Sequence, residues 1–190
     1  FALFIGQTEN EQQQALPFEV WVNGTNQPRG LGAVAKTLSM DMRSNDNQWL
    51  KLKLDSLMRT VGEQSFELKF PPLGENKVVP SVVSAFAQIV RYRCEKLGYF
   101  NTDSAHPVLD SMFSLHEPKT STDGTLSWTV DIANPATGEE FVLGLKEVVL
   151  AGGATRPYAM WLAGNYPRAL DGLSRILSLD MRVIDPAWIG

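Results

Sequence analysis

Cysteine is almost missing from this chain: Cys94 is the single one in 190 residues. One thiol cannot form an internal disulfide, a CxxC redox pair or an all-cysteine metal site. Histidine is nearly as scarce. His106 and His116 stand ten residues apart, and a zinc site would need two further ligands. No apolar run approaches the roughly 18 to 20 residues of a membrane span, and no charged-then-apolar leader resembles a signal peptide. A surplus of basic charge is also lacking. The 17 Lys and Arg against 21 Asp and Glu leave a formal charge of -4, which argues against tight non-specific nucleic-acid binding. A cytoplasmic location with no membrane partner is the expectation. The GxSxG, P-loop, HExxH and EF-hand patterns are missing too. Gly30-Leu31-Gly32 has no third glycine at the dinucleotide-binding spacing and reads as close packing of a helix start.

What is present is ordinary globular composition, 44% hydrophobic and 20% charged, at a length that suits one sizeable domain or two small ones. Its strongest feature is an internal match. PRGLGAVAKTLSMDMRSNDNQW, from Pro28 to Trp49, aligns without gaps with PRALDGLSRILSLDMRVIDPAW, from Pro167 to Trp188; 10 of 22 positions are identical at an offset of 139. Upstream, the run from Pro17 to Val22 faces the run from Pro157 to Leu162. The expected fold is therefore α+β, with two tandem copies of an antiparallel sheet covered by helices. The first unit spans 1–100, a connection 101–124, and the second unit 125–190. The first opens mid-sheet and the second closes mid-helix, so the chain reads as an excerpt of a longer polypeptide.

The elements follow from pattern. Phe18–Val22 and Tyr158–Leu162 are β-branched and aromatic runs closed by turns, with Leu3–Ile5, Leu126–Ile132 and Glu140–Leu150 as further strands. Leu31, Val34, Ala35, Leu38 and Met42 recur at helical period, as do Leu170, Leu173, Leu177 and Met181. Asp46 and Asp185 stand as N-caps of a following helix, with Pro186 suited to its first position. Another helix runs from Ser81 to Leu97, between Pro80 and Gly98. Phe70 to Val79, with two adjacent prolines and Gly74, reads as a loop.

One constellation with chemistry occurs in both matched segments. Arg29, Lys36 and Arg43 are spaced by seven, as are Arg168, Arg175 and Arg182. Each trio forms a cationic stripe drifting about 20° per step, able to contact an anion or an acidic partner, or simply to be a solvated face. Trp21 pairs with Trp161 and Trp49 with Trp188, and both pairs read as core anchors. Cys94 reads as a small buried side chain.

A PFEVWVNG-type strand, a helix carrying LSMDMR or LSLDMR, then D-x-x-W and a second helix, resembles the C-terminal region of adenosylcobalamin-dependent (class II) ribonucleotide reductases. It is similar as well to the separate accessory polypeptide of split forms of that enzyme and to TSCPD-family units. The resemblance implies the non-barrel part of an enzyme that makes deoxyribonucleotides with a cobalamin-generated thiyl radical. It implies a catalytic barrel as partner, in the same or a separate chain, and adenosylcobalamin as cofactor of the parent enzyme rather than of this chain. No catalytic, cofactor or metal residue carries over, because Cys94 lies outside any radical or reducing-cysteine motif. A nucleotide- or nucleic-acid-binding module and a structural dimerisation domain are the other readings, with a nucleotide or a second copy as the respective partner.

Overall fold

The computed structural model describes residues 1–101, 105–185 and 188. The fold is α+β, with four helices and seven strands in three antiparallel sheets among the described residues. Strands β1 (Ala2–Glu9) and β2 (Ala15–Asn23) form a hairpin, followed by helices α1 (Leu31–Arg43) and α2 (Asn47–Met58). A second hairpin, β3 (Phe66–Phe70) and β4 (Glu75–Val79), leads to α3 (Val82–Lys96). After two short 3-10 turns, β5 (Ser127–Asn134), β6 (Glu139–Val149) and β7 (Thr155–Gly164) form a meander in that order, and α4 (Leu170–Asp180) lies beyond it.

Local chemistry explains most boundaries. Asp46 caps α2 by accepting the Trp49 N–H at 2.9 Å, and Ser81 caps α3 by accepting the Ser84 N–H at 3.0 Å. Gly30 turns the chain into α1 at φ +88°; a Cβ there would also meet Leu170 Cδ2 at 2.9 Å, so the starts of α1 and α4 touch. Arg156 closes the far end of α4 by donating to the carbonyls of Met181, Val183 and Ile184, where the helix dipole favours a cation. The cap expected at Asp185 runs into Pro186, which lies outside the described residues.

Both outer hairpin pairings carry a bulge at a matched place. Gly6 pairs with Glu19 and Gln7 with Pro17, skipping Phe18; Lys146 pairs with Ala159 and Glu147 with Pro157, skipping Tyr158. Proline cannot donate to a ladder and is tolerated on an edge strand at a bulge. β2 and β7 are both edges.

Three expectations need correction. The stretch from Phe70 to Val79 is mostly strand: the prolines and Gly74 occupy only the β3–β4 turn, and Glu75–Val79 pairs back onto Phe66–Phe70. Trp21 is 43% exposed and stacks on Phe4 with ring centroids 5.2 Å apart, because it lies on the sheet face away from α1. In α4, Leu170 and Leu177 are only half-buried while Ile176 and Leu179 are buried, since α4 packs on α2 and α1 as well as on β7.

The main core draws Leu31, Val34, Leu38 and Met42 of α1, Leu50, Leu54 and Leu57 of α2, and Val83, Phe86 and Val90 of α3. Ala169 and Ile176 join the same cluster, so it crosses the 101–124 connection. Trp49, Val108, Leu179 and Val183 make a smaller second cluster.

Candidate functional site

Helix α2 has one face of Leu50, Leu54 and Leu57, and Lys53 lies on that same face. Packing therefore takes the ammonium out of water entirely: Lys53 is 0% exposed. An ammonium at such a depth needs carboxylates. It donates to Asp41 Oδ1 at 2.8 Å, near the end of α1, and to Asp180 Oδ1 and Oδ2 at 2.7 and 2.8 Å, at the end of α4. The Trp49 indole N–H donates to Asp41 Oδ1 and the Trp188 indole N–H to Asp180 Oδ1, each at 2.8 Å. The two indoles meet edge to face, 6.2 Å between centroids. Asp41 Oδ2 is buried with no hydrogen-bond partner among the described residues. Two carboxylates face one ammonium, and burial raises the Asp41 carboxyl above its ordinary value against the opposing pull of Lys53. None of the three charged residues lines either cleft described below; the cluster joins α1, α2 and α4.

The serines of the matched LS-x-D-M-R segments serve the sheets. Ser39 Oγ accepts the Val20 N–H at 2.9 Å and donates to the Val20 carbonyl at 3.0 Å. Ser178 Oγ accepts the Met160 N–H at 2.9 Å and lies 3.4 Å from the Met160 carbonyl. Each hydroxyl thus takes the outward N–H of one edge residue and keeps it from a further strand, while its single proton also faces the i−4 carbonyl of its own helix, Ala35 at 2.9 Å and Ser174 at 2.6 Å.

The six expected cations do not form two equivalent stripes. Arg29 pairs with Glu139 at 2.5 Å and Arg168 with Glu63 at 3.0 Å. These pairs flank a groove of about 510 Å³ at the start of α4, floored by Val82, Val83 and Ala169. Arg43 stacks on Phe18 and pairs with Glu19 at 3.6 Å. Lys36 is exposed beside the α1–β2 groove of about 290 Å³. Arg175 is exposed on α4, while Arg182 is buried and donates to the carbonyls of Ser114 at 3.1 Å and Tyr158 at 3.4 Å. Arg175 and Arg182 line a cleft of about 560 Å³ between α4, β7 and the end of α2.

Cys94 is buried, as expected, and burial pushes its thiol up to about 12. His106 Nδ1 lies 3.3 Å from Asp46 Oδ1, and among the described residues no group of three or more His, Cys, Asp or Glu is placed to hold a metal. Asp46 does more than cap: its Oδ2 accepts the Val108 and Leu109 N–H groups at 3.1 and 3.0 Å, tying the connection to α2. No helix of the described residues is long and apolar enough to cross a membrane.

Sequence reasoning passed over Lys53. Its signal is there, a lysine spaced i+3 and i−1 from leucines of one helical face. Asp180 as its partner is 127 residues away and has no such signal. No protein-family model, no curated protein and no solved structure matches this chain.

Proposed function

We propose that this chain is the non-barrel accessory region of an adenosylcobalamin-dependent ribonucleotide reductase, built from two tandem copies of one unit and serving deoxyribonucleotide synthesis without carrying the radical step. The supporting observation is where the family-like segment spends its polar atoms. Ser39, Asp41 and Trp49, and likewise Ser178, Asp180 and Trp188, direct them into the sheet edges and the Lys53 cluster. The segment is used as scaffold. The buried Cys94 thiol, held protonated at neutral pH, does not suit a redox or radical role. The residues present do not fit a corrin either: His106 sits against Asp46 and lines neither large cleft. In this reading adenosylcobalamin stays with the barrel.

Docking surface is available on the sheets. Leu126, Trp128 and Val130 are exposed on and beside the edge strand β5, and Phe4 and Trp21 on the first hairpin. The test mixes this chain with the barrel polypeptide of such a reductase. Sedimentation should detect a complex, the chain alone should give no turnover with adenosylcobalamin and a dithiol, and Cys94→Ser should leave the complex intact. Failure to associate, together with no effect on turnover by the barrel, overturns the reading.

A further inference from the structure

Among the described residues, the cleft between α4 and β7 holds a buried guanidinium that no carboxylate contacts directly. Arg182 is 5% exposed, and a buried cation is normally paired with a carboxylate. Among the described residues Arg182 makes no ion pair: its Nε and Nη1 donate to two backbone carbonyls, and its remaining donors are unused. Its position after the end of α4 suits a cation, but that does not neutralise it. Two turns earlier on the same helix, Arg175 opens onto the same cleft, also without a carboxylate partner. Of the acids on the cleft wall, Glu117 is paired with Lys146 at 2.5 Å and acts on Arg182 only at a distance, and Asp171 accepts from the Tyr166 hydroxyl at 2.7 Å. Thr60, on the opposite wall, is buried with a hydroxyl that has no hydrogen-bond partner among the described residues. Met160 and Leu162 add apolar surface. At about 560 Å³ the cleft lies in the range of small-molecule sites. The matched position on the first hairpin differs on both counts, since Arg43 is exposed and paired with Glu19 and the groove is about half that size.

We propose that this cleft binds a phosphate monoester, with Arg175 and Arg182 on the dianionic head and the Met160–Leu162 wall against the apolar body. Guanidinium forks match phosphate oxygens in geometry and charge, and a molecule with a body uses the volume that a bare ion leaves empty. The inference is independent of the reductase reading, because its test needs only this chain.

The 190-residue chain is titrated at low salt with adenosine 5′-monophosphate, inorganic phosphate and adenosine, followed by amide NMR and calorimetry. The monophosphate should perturb Thr60, Leu162, Ser174 and Arg175, bind more tightly than inorganic phosphate, and weaken as salt rises. Arg175→Gln, an exposed substitution that keeps the fold, should weaken binding about tenfold, and Thr60→Val should weaken it too. Lys36→Gln, at the matched position on α1, should change nothing. The proposal is overturned if the monophosphate leaves these amides unmoved, if Arg175→Gln binds as well as the wild type, or if adenosine or inorganic phosphate binds equally tightly.

Discussion

Lys53, Asp41 and Asp180 show how much can rest on single side chains. Removing the ammonium while leaving both carboxylates enclosed strands two buried negative charges. Lys53→Met, close in volume, should therefore destabilise the protein by about 3–5 kcal/mol, read as a lower urea midpoint with unchanged slope. A wild-type midpoint in that variant would mean that water already reaches the cluster. The pH dependence carries a defined sign. Burial raises the folded-state pKa of Asp41 above its ordinary 3.8, so the folded protein holds that proton more firmly than the unfolded chain. The stability linked to it is fully present below 3.8 and is lost as pH rises through the raised folded value. Asp41→Asn cannot titrate. Its stability deficit against the wild type should shrink as pH rises from about 3.8 toward neutrality, and a constant deficit would contradict the assignment.

Helices here do more for the sheets than cover them. Ser39 on α1 accepts the Val20 N–H, and Ser178 on α4 accepts the Met160 N–H. Ser39→Ala leaves the buried Val20 N–H unmet, a loss of about 1–3 kcal/mol, and uncovers part of a strand edge. Chemical denaturation should show the first effect and concentration-dependent light scattering the second. Asp46 bears a heavier duty, since it caps α2 and also accepts two N–H groups from the connection. Asp46→Ala should cost at least the ~1 kcal/mol of a lost cap. Unlike an ordinary cap deletion, it should also speed hydrogen exchange at Val108 and Leu109. Unchanged exchange at those amides would show that the connection is held elsewhere.

The two halves of the chain share one core. Ala169 and Ile176 pack in the cluster of Leu31, Leu50 and Phe86, the starts of α1 and α4 touch at Gly30 and Leu170, and Lys53 bridges α1 to α4. Arg29 reaches across to Glu139, and Arg168 reaches back to Glu63. Unfolding should accordingly be a single transition. Ile176→Ala, which empties a fully buried site, should cost about 2–5 kcal/mol. It should lower the melting of signals from residues 1–100 and 125–185 alike. Two separate transitions, with only the second shifted, would contradict the shared core.

Much of this architecture was legible from neighbours along the chain. Leu31, Val34, Leu38 and Met42 announce α1 because helical period and apolar burial coincide. Ser81 and Gly98 bracket α3 because caps act on adjacent backbone groups. The β3–β4 hairpin was hidden, since Pro71, Pro72 and Gly74 dominate a short stretch while occupying only its turn. The exposure of Trp21, the burial of Arg182 and the enclosure of Lys53 were not legible at all. A composition rule assigns tryptophan inward and arginine outward, and neither rule knows which sheet face or helix end will be covered. Periodicity and capping are set by residues a few positions apart, so linear sequence carries them. Whether a charge is solvated, paired or left unmatched depends on what packing brings within 4 Å of it from anywhere in the chain, and Asp180 reaches Lys53 only after α1, α2 and α4 have met.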